Sequence, residues 1–244
     1  MKVSLNDRSV ASMNDPNAYT MLISGLPRPE ALFRSKRPPL SRLKLDRRLR
    51  VLEAEDAALL ARVEQILTWA SMPMSMTDEQ FIGTVRAAMQ TINNETLRLI
   101  IRDRLEIRTC MAALRRRHRG EGPPSSTTVW GYGRWLGHIR RNWTEIGFRL
   151  EGVFPWLREA DKLLKAGDSL AMQRLLLDQV WKNVSRHAGE HEFDFEAVVI
   201  YVLKWDIVDR WVRHDSELAA ERFEELTETG LGDFANLFER APQL

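Results

Sequence analysis

Apolar residues return every three or four positions along most of this chain, which is the period of a helix with one buried face. From about 45 to 69, Leu45, Leu49, Leu52, Leu59, Leu60, Val63, Ile66 and Leu67 mark such a face, and Pro73 lies beyond its end. Thr77 followed by Gln80 predicts a capping box that opens a second helix running to about Ile92. Asn94 or Glu95 starts a third, with Ile100, Ile107, Met111 and Leu114 in one stripe among arginines and Gly120 as its stop. "GEGPPSSTT" then reads as a linker. Beyond it, glycines weaken the helical pattern of "VWGYGRWLGHIRRNW", and helices are predicted over 156–166, 168–187, 193–214 and 215–229. In the 193–214 segment Phe195, Val198, Val202, Trp205, Val208 and Val212 share a face, while Asp206 with Arg210 and Asp209 with Arg213 stand at i,i+4. The short apolar run "AYTMLISGLP" is compatible with a strand or a two-turn helix. No segment alternates with period two for long enough to build a sheet, so the predicted fold is all-α: an elongated multi-helix bundle of two lobes. A loose tail (1–18) precedes an N-terminal lobe (19–119), the linker (120–128) and a C-terminal lobe (129–244).

Composition changes this picture little. The chain has 244 residues, of which 44% are hydrophobic, enough for a sizeable core. Its formal net charge of +2 makes no case for a nucleic-acid partner. The distribution is more informative: residues 34–50 carry eight basic groups and one acid, whereas 206–239 carry ten acids and three arginines. The reading is a polar body with a basic and an acidic end. The single cysteine, Cys110, excludes an internal disulfide and a multi-cysteine zinc site, and its apolar helical setting makes it a buried structural thiol. No run is apolar enough for a signal peptide or a membrane span, which places the expected protein in the cytoplasm.

One stretch carries candidate chemistry. "HAGEH", His187 to His191, matches H-x-x-E-H, the inverted motif in which two histidines one helical turn apart hold zinc and a glutamate polarises its water. Gly189 sits in the middle, between the end of one predicted helix and the acidic start of the next. The preferred reading is therefore a turn: Gly189 as a helix stop, His187 as a cation at a helix C-terminus, and Glu190, Glu192, Asp194 and Glu196 as acids favouring the next helix start. A zinc-dependent hydrolase using His187, Glu190 and His191 is the alternative. The phosphate-binding and nucleophile-elbow glycine motifs are missing. No catalytic residue, cofactor or metal is assigned, and the chain is expected not to be an enzyme.

Two basic clusters stand out as candidate contact sites: Arg42, Lys44, Arg47 and Arg48 in the first lobe, and Arg115, Arg116, Arg117 and Arg119 at the end of the third helix. The second suits phosphates or an acidic protein surface, or simply a helix C-terminus, where exposed carbonyls favour cations. A basic nucleic-acid adaptor is a further alternative, but no aromatics interleave the arginines. Trp130, Tyr132, Trp135, Trp143 and Phe148 load a glycine-containing segment with flat side chains, read as filling the seam between the lobes in preference to docking on a partner.

Glu106, Thr109, Leu114, Arg115, Arg117 and Gly120 resemble a helical motif of the C subunit (d in eukaryotes) of V/A-type ATPases: an acid, a small polar residue, then Leu-Arg-x-Arg-x-x-Gly. The helix "FEAVVIYVLKWDIVDRWVR", 195–213, is similar to that family's C-terminal helix. The chain also resembles a small bacterial family encoded among V-type ATPase genes. That likeness rests on Tyr19, Leu22, Ile23, Leu26 and Pro27, on the stretch from Pro38 to Leu52, and on the 193–213 helix. The resemblance implies a V/A-ATPase C (d) subunit-like fold and a non-catalytic subunit or accessory factor at the cytoplasmic face of a membrane. Such a factor joins the membrane ring to the central shaft and contacts the membrane only through the complex. It implies no nucleic-acid partner and no small-molecule substrate.

Overall fold

The computed structural model describes residues 16–28, 31–67 and 76–214, and among these there are helices and no strands. In chain order they are α1 (Thr20–Gly25), a 3-10 turn (Leu32–Arg34), α2 (Arg42–Leu49), α3 (Ala54–Leu67), α4 (Asp78–Thr91) and α5 (Glu95–His118). After the linker come α6 (Leu136–Arg141), a second 3-10 turn (Ile146–Arg149), α7 (Leu157–Ala166), α8 (Ser169–His187) and α9, helical over 195–214. The helix expected over 215–229 and most of the expected tail lie outside the described residues.

Local chemistry sets most of the boundaries. Thr77 accepts the Gln80 N–H while the Gln80 side chain accepts that of Thr77, so the capping box at the start of α4 is formed. Asn94 caps α5 by accepting the Leu97 N–H at 3.0 Å. At the far end Gly120 takes φ +80, the Gly120 N–H reaches Arg117 O and the Glu121 N–H reaches Arg116 O, which closes the last carbonyls in a Schellman motif. Gly167, at φ +69, ends α7 in the same way, and the next residue, Asp168, caps α8.

The single helix expected over 45–69 is two helices. Between α2 and α3 the backbone turns at 50–53, which brings Leu49 and Leu52 into the core together. The turn is held from a distance: the Tyr19 hydroxyl accepts the Glu53 N–H at 3.4 Å and donates to the Asp56 carboxylate. The undecided run after residue 19 is a helix, α1. Of the tryptophan-rich segment only Leu136–Arg141 is α-helical, for a reason that lies in its glycines.

α5 is the spine. Its side chains are buried on nearly every side from Leu97 to Leu114, and α3, α6, α7 and α8 pack on it. α9 covers the N-terminal segments: Trp205 Nε1 donates to Leu40 O at 2.8 Å, the Tyr201 hydroxyl to Pro27 O at 2.9 Å, and Tyr19 N to Phe193 O at 2.8 Å. Phe195, Val198, Val202, Trp205 and Val208 are all buried, as their spacing predicts. Asp209 pairs with Arg213, and Asp206, largely buried, lies in the fields of both Arg104 and Arg210. The buried apolar residues form one cluster from Tyr19 to Trp211 that continues across both sides of the 120–128 linker.

Ile146–Arg149 contains a left-handed turn in which Gly147, Phe148 and Arg149 all lie near φ +55. Phe148 is fully buried and anchors this turn in the core. Arg149 is exposed and gains only an i,i+4 pair with Glu145 at 3.1 Å. A left-handed non-glycine residue costs about 1–2 kcal/mol, and an exposed pair returns a few tenths. Arg149→Gly is therefore expected to raise the unfolding free energy by up to about 1 kcal/mol after the extra backbone entropy of glycine. Urea denaturation followed by tryptophan fluorescence would read it.

Candidate partner-binding surface

The residues that resemble the ATPase motif do two different jobs in this fold. Three of them, Glu106, Thr109 and Arg117, lie along the face of α5 that receives the segment after the linker. Glu106 is 2% exposed, and its carboxylate accepts the Arg134 N–H and both Nε and Nη2 of Arg134, each at 2.9 Å. One turn on, Thr109 Oγ1 donates to Tyr132 O at 2.8 Å and accepts the Tyr132 N–H at 2.9 Å. Arg117 donates to Trp143 O at 3.2 Å, Glu145 O at 2.6 Å and Asp161 at 2.8 Å, with its guanidinium centre 4.7 Å from the centre of the Phe148 ring. The backbone of 130–134 must approach α5 closely for this. A Cβ on Gly131 would lie 2.6 Å from Thr109 Cγ2, and one on Gly133 would lie 2.3 Å from Glu106 Cγ. Two of the three glycines that weaken the helical pattern, Gly131 and Gly133, are thus points of contact.

The aromatic side chains complete this joint. Trp130, Trp143 and Phe148 are buried, Trp130 meets Trp143 edge to face at 6.5 Å, and Trp143 Nε1 donates to Glu121 O at 2.9 Å. Burial raises the Glu106 pKa, but the hydrogen bonds and charge of Arg134 outweigh it and hold the carboxyl below the usual glutamate range. Its contribution to stability is then complete above about pH 4.3 and lost as the pH falls through the lower folded-state value. Glu106→Gln is expected to flatten this acid limb and to cost about 2 kcal/mol at neutral pH. A pH series of urea midpoints would show both.

The other arginines of the cluster face outward. Arg115 is exposed with no side-chain partner among the described residues; Arg116 pairs with Asp78 at 3.1 Å; Arg119 pairs with Glu121 at 2.6 Å. Arg117, committed to the joint, is not available to a partner in this conformation. In the first basic cluster, Lys44 and Arg47 are exposed and without side-chain partners among the described residues. Arg42 bridges Asp46 at 2.8 Å and Glu64 at 2.6 Å and leans over Trp205, and Arg48 donates to Gly25 O. Of the eight basic residues read as contact sites, Lys44, Arg47 and Arg115 are the least engaged.

The H-x-x-E-H stretch does not lie on one helix. α8 ends at His187, Ala188 and Gly189 form the turn, and His191 begins the approach to α9. His191 Nδ1 lies 2.6 Å from Asp194 and its Nε2 lies 3.1 Å from Thr96 Oγ1. Among the described residues, the histidine and acid group with ligand atoms within 4.8 Å of one another is His191, Asp194 and Glu196, which leaves out His187 and Glu190. Asp194 also accepts the Ala197 N–H at the start of α9, and Glu196 accepts from Asn94 at 2.7 Å, so this trio ties two helix starts together. His187 differs from the expected cation: burial, with Arg186 adding to it, lowers its pKa, so the imidazole is neutral at neutral pH. Cys110 is fully buried and its thiol is pushed up to about 12 by burial, which removes the thiolate a nucleophile needs.

Comparison of the chain with protein-family models, curated proteins and solved structures gives no match. Among the described residues no helix is long and apolar enough to cross a membrane. The site residues missed by sequence pattern are Gly131, Gly133 and Arg134, whose partners lie 22 or more residues away on α5.

Proposed function

We propose that this protein is a non-catalytic helical subunit or accessory factor of a V/A-type rotary ATPase, a connector between the membrane ring and the central shaft at the cytoplasmic face. The observation that carries the reading is the joint on α5: the residues of the resembling motif, Glu106, Thr109 and Arg117, fasten the chain after the linker to the spine. A connector that bears torque has to be stiff, and charge-assisted bonds half enclosed by tryptophans supply stiffness where a bare linker would bend. In this reading the halves 19–119 and 129–244 are the two lobes of a C (d) subunit-like body, joined along α5. The outward cations Arg42, Lys44, Arg47, Arg48, Arg115, Arg116 and Arg119 engage acidic surfaces of the neighbouring subunits, with electrostatics steering the encounter. The membrane is reached only through the complex.

The test is affinity purification of the tagged full chain from its native cells at moderate salt. Head or ring subunits of a rotary ATPase are expected in the eluate, and charge reversal at Arg47 and Arg115 is expected to deplete them. Recovery of the folded chain without any rotary-ATPase subunit would refute the proposal.

A further inference from the structure

α5 carries a second arginine row, on the side away from the joint. Arg104, Arg108, Arg115 and Arg119 follow one another at spacings of four, seven and four, so they form a stripe about 22 Å long at the helical rise of 1.5 Å per residue. The stripe borders two hollows of about 420 and 340 Å³ that share Arg104, Arg115, Leu176 and Val180 and therefore form one groove. Its floor is apolar, supplied by Ile66 and Leu67 of α3, Met111 of α5 and Leu176 of α8. Its acids are few: Asp78 is paired with Arg116, Asp168 caps α8, and Asp206 acts on Arg104 and Arg210 from α9. A long apolar trough with cations along one rim fits an amphipathic segment with acids flanking an apolar stripe.

We propose that the groove is the docking site of this chain's own acidic segment, residues 215–239. That stretch has eight acids, Asp215 to Glu239, against the lone Arg222, and Ala219, Phe223 and Leu226 recur at spacings of four and three, with Glu217, Glu221, Glu224, Glu225 and Glu228 around them. The described part of α9 ends at 214, one helical turn past Arg210, and Arg210 itself lines the smaller hollow. The segment therefore starts beside its site, and tethering gives it an effective concentration in the millimolar range that a separate acidic partner must exceed. Burial disfavours the charge on Arg104, Arg108 and Arg210, and Asp206 and Asp78 offset this only in part, so an anion laid along the groove stabilises all three. Because Arg115 and Arg119 belong to both this groove and the proposed ATPase contact, docking of 215–239 covers part of that contact. The inference itself concerns the isolated chain and holds whichever partner binds.

The experiment is cross-linking of the full chain carrying Ala112→Cys in the groove and Ala219→Cys in the segment, with a short bis-maleimide at low salt. Buried Cys110 stays unreactive. A cross-linked monomer is expected, its rate of formation falling about tenfold with Arg115→Glu plus Arg119→Glu and returning when Glu221→Arg and Glu225→Arg are added. Should the double reversal fail to fold, as judged by its helical circular dichroism, high salt applied to the parent pair gives the same readout without substitution, again as a loss. Cross-linked dimers would assign the groove to a second copy and overturn the proposal. So would a folded chain that yields no cross-link, or one whose cross-link is indifferent to salt. Because the readout uses purified protein alone, absence of rotary-ATPase subunits in a pull-down leaves it untouched.

Discussion

Gly133→Ala is expected to lower the unfolding free energy by about 3 kcal/mol or more, the largest effect of an added methyl at any described glycine. Two causes combine. Gly133 has φ +119, a conformation that residues with a side chain rarely adopt. The added Cβ would stand 2.3 Å from Glu106 Cγ and 2.9 Å from its Oε1, so Glu106 has to move. Moving it breaks the three bonds to Arg134 and strands a carboxylate that is 2% exposed. Gly152→Ala is the matched control, since its Cβ meets nothing within 4 Å and its φ is ordinary; a change within about 0.5 kcal/mol is expected there. Urea melts of both variants, followed by tryptophan fluorescence and by circular dichroism, decide it. Equal stabilities would show that the 130–134 backbone does not press on α5.

Arg117→Ala is expected to cost about 3 kcal/mol. One guanidinium serves two carbonyls and a carboxylate; Glu145 O keeps the Phe148 N–H at 3.1 Å, whereas Trp143 O loses its donor. Asp161 keeps Lys165 at 2.7 Å, which limits the loss to roughly that of a partly buried charged network and spares an isolated buried charge. Phe148 loses the cation over its ring as well. Arg117→Lys is expected to restore less than half, because an ammonium at one point cannot reach three acceptors held by a planar fork. Near-ultraviolet circular dichroism, sensitive to Trp143, is expected to weaken in parallel with the urea midpoint. Full recovery with lysine would mean that charge alone, without geometry, holds this corner.

These two variants probe the part of the molecule that local pattern describes least well. The helix starts at Asn94 and Thr77, the stop at Gly120 and the buried face of α9 were legible because each depends on residues within one or two turns of each other. The same local logic read Gly189 as a turn, which separates His187 from His191. It took 45–69 as one helix, because the apolar spacing survives the turn at 50–53 and the group that holds that turn, Tyr19, is 34 residues away from Glu53. It set the arginines of α5 outside the apolar stripe and took Arg117 as a contact residue, although Arg104 is 9% exposed and Arg117 is bound on the inside.

Sequence by itself determined that this protein is helical, where most of its helices begin and end, and which face of α9 is buried. Capping, helical period and glycine stops act over a few residues and are written in adjacent positions. Tertiary structure alone decided that the glycines at 131 and 133 are contact points, that Glu106 and Arg117 turn inward while Arg115 turns outward, and that α5 is surrounded. Those outcomes depend on which distant surface arrives against each helix face, and a charge becomes internal only when its partner is brought to it across the fold.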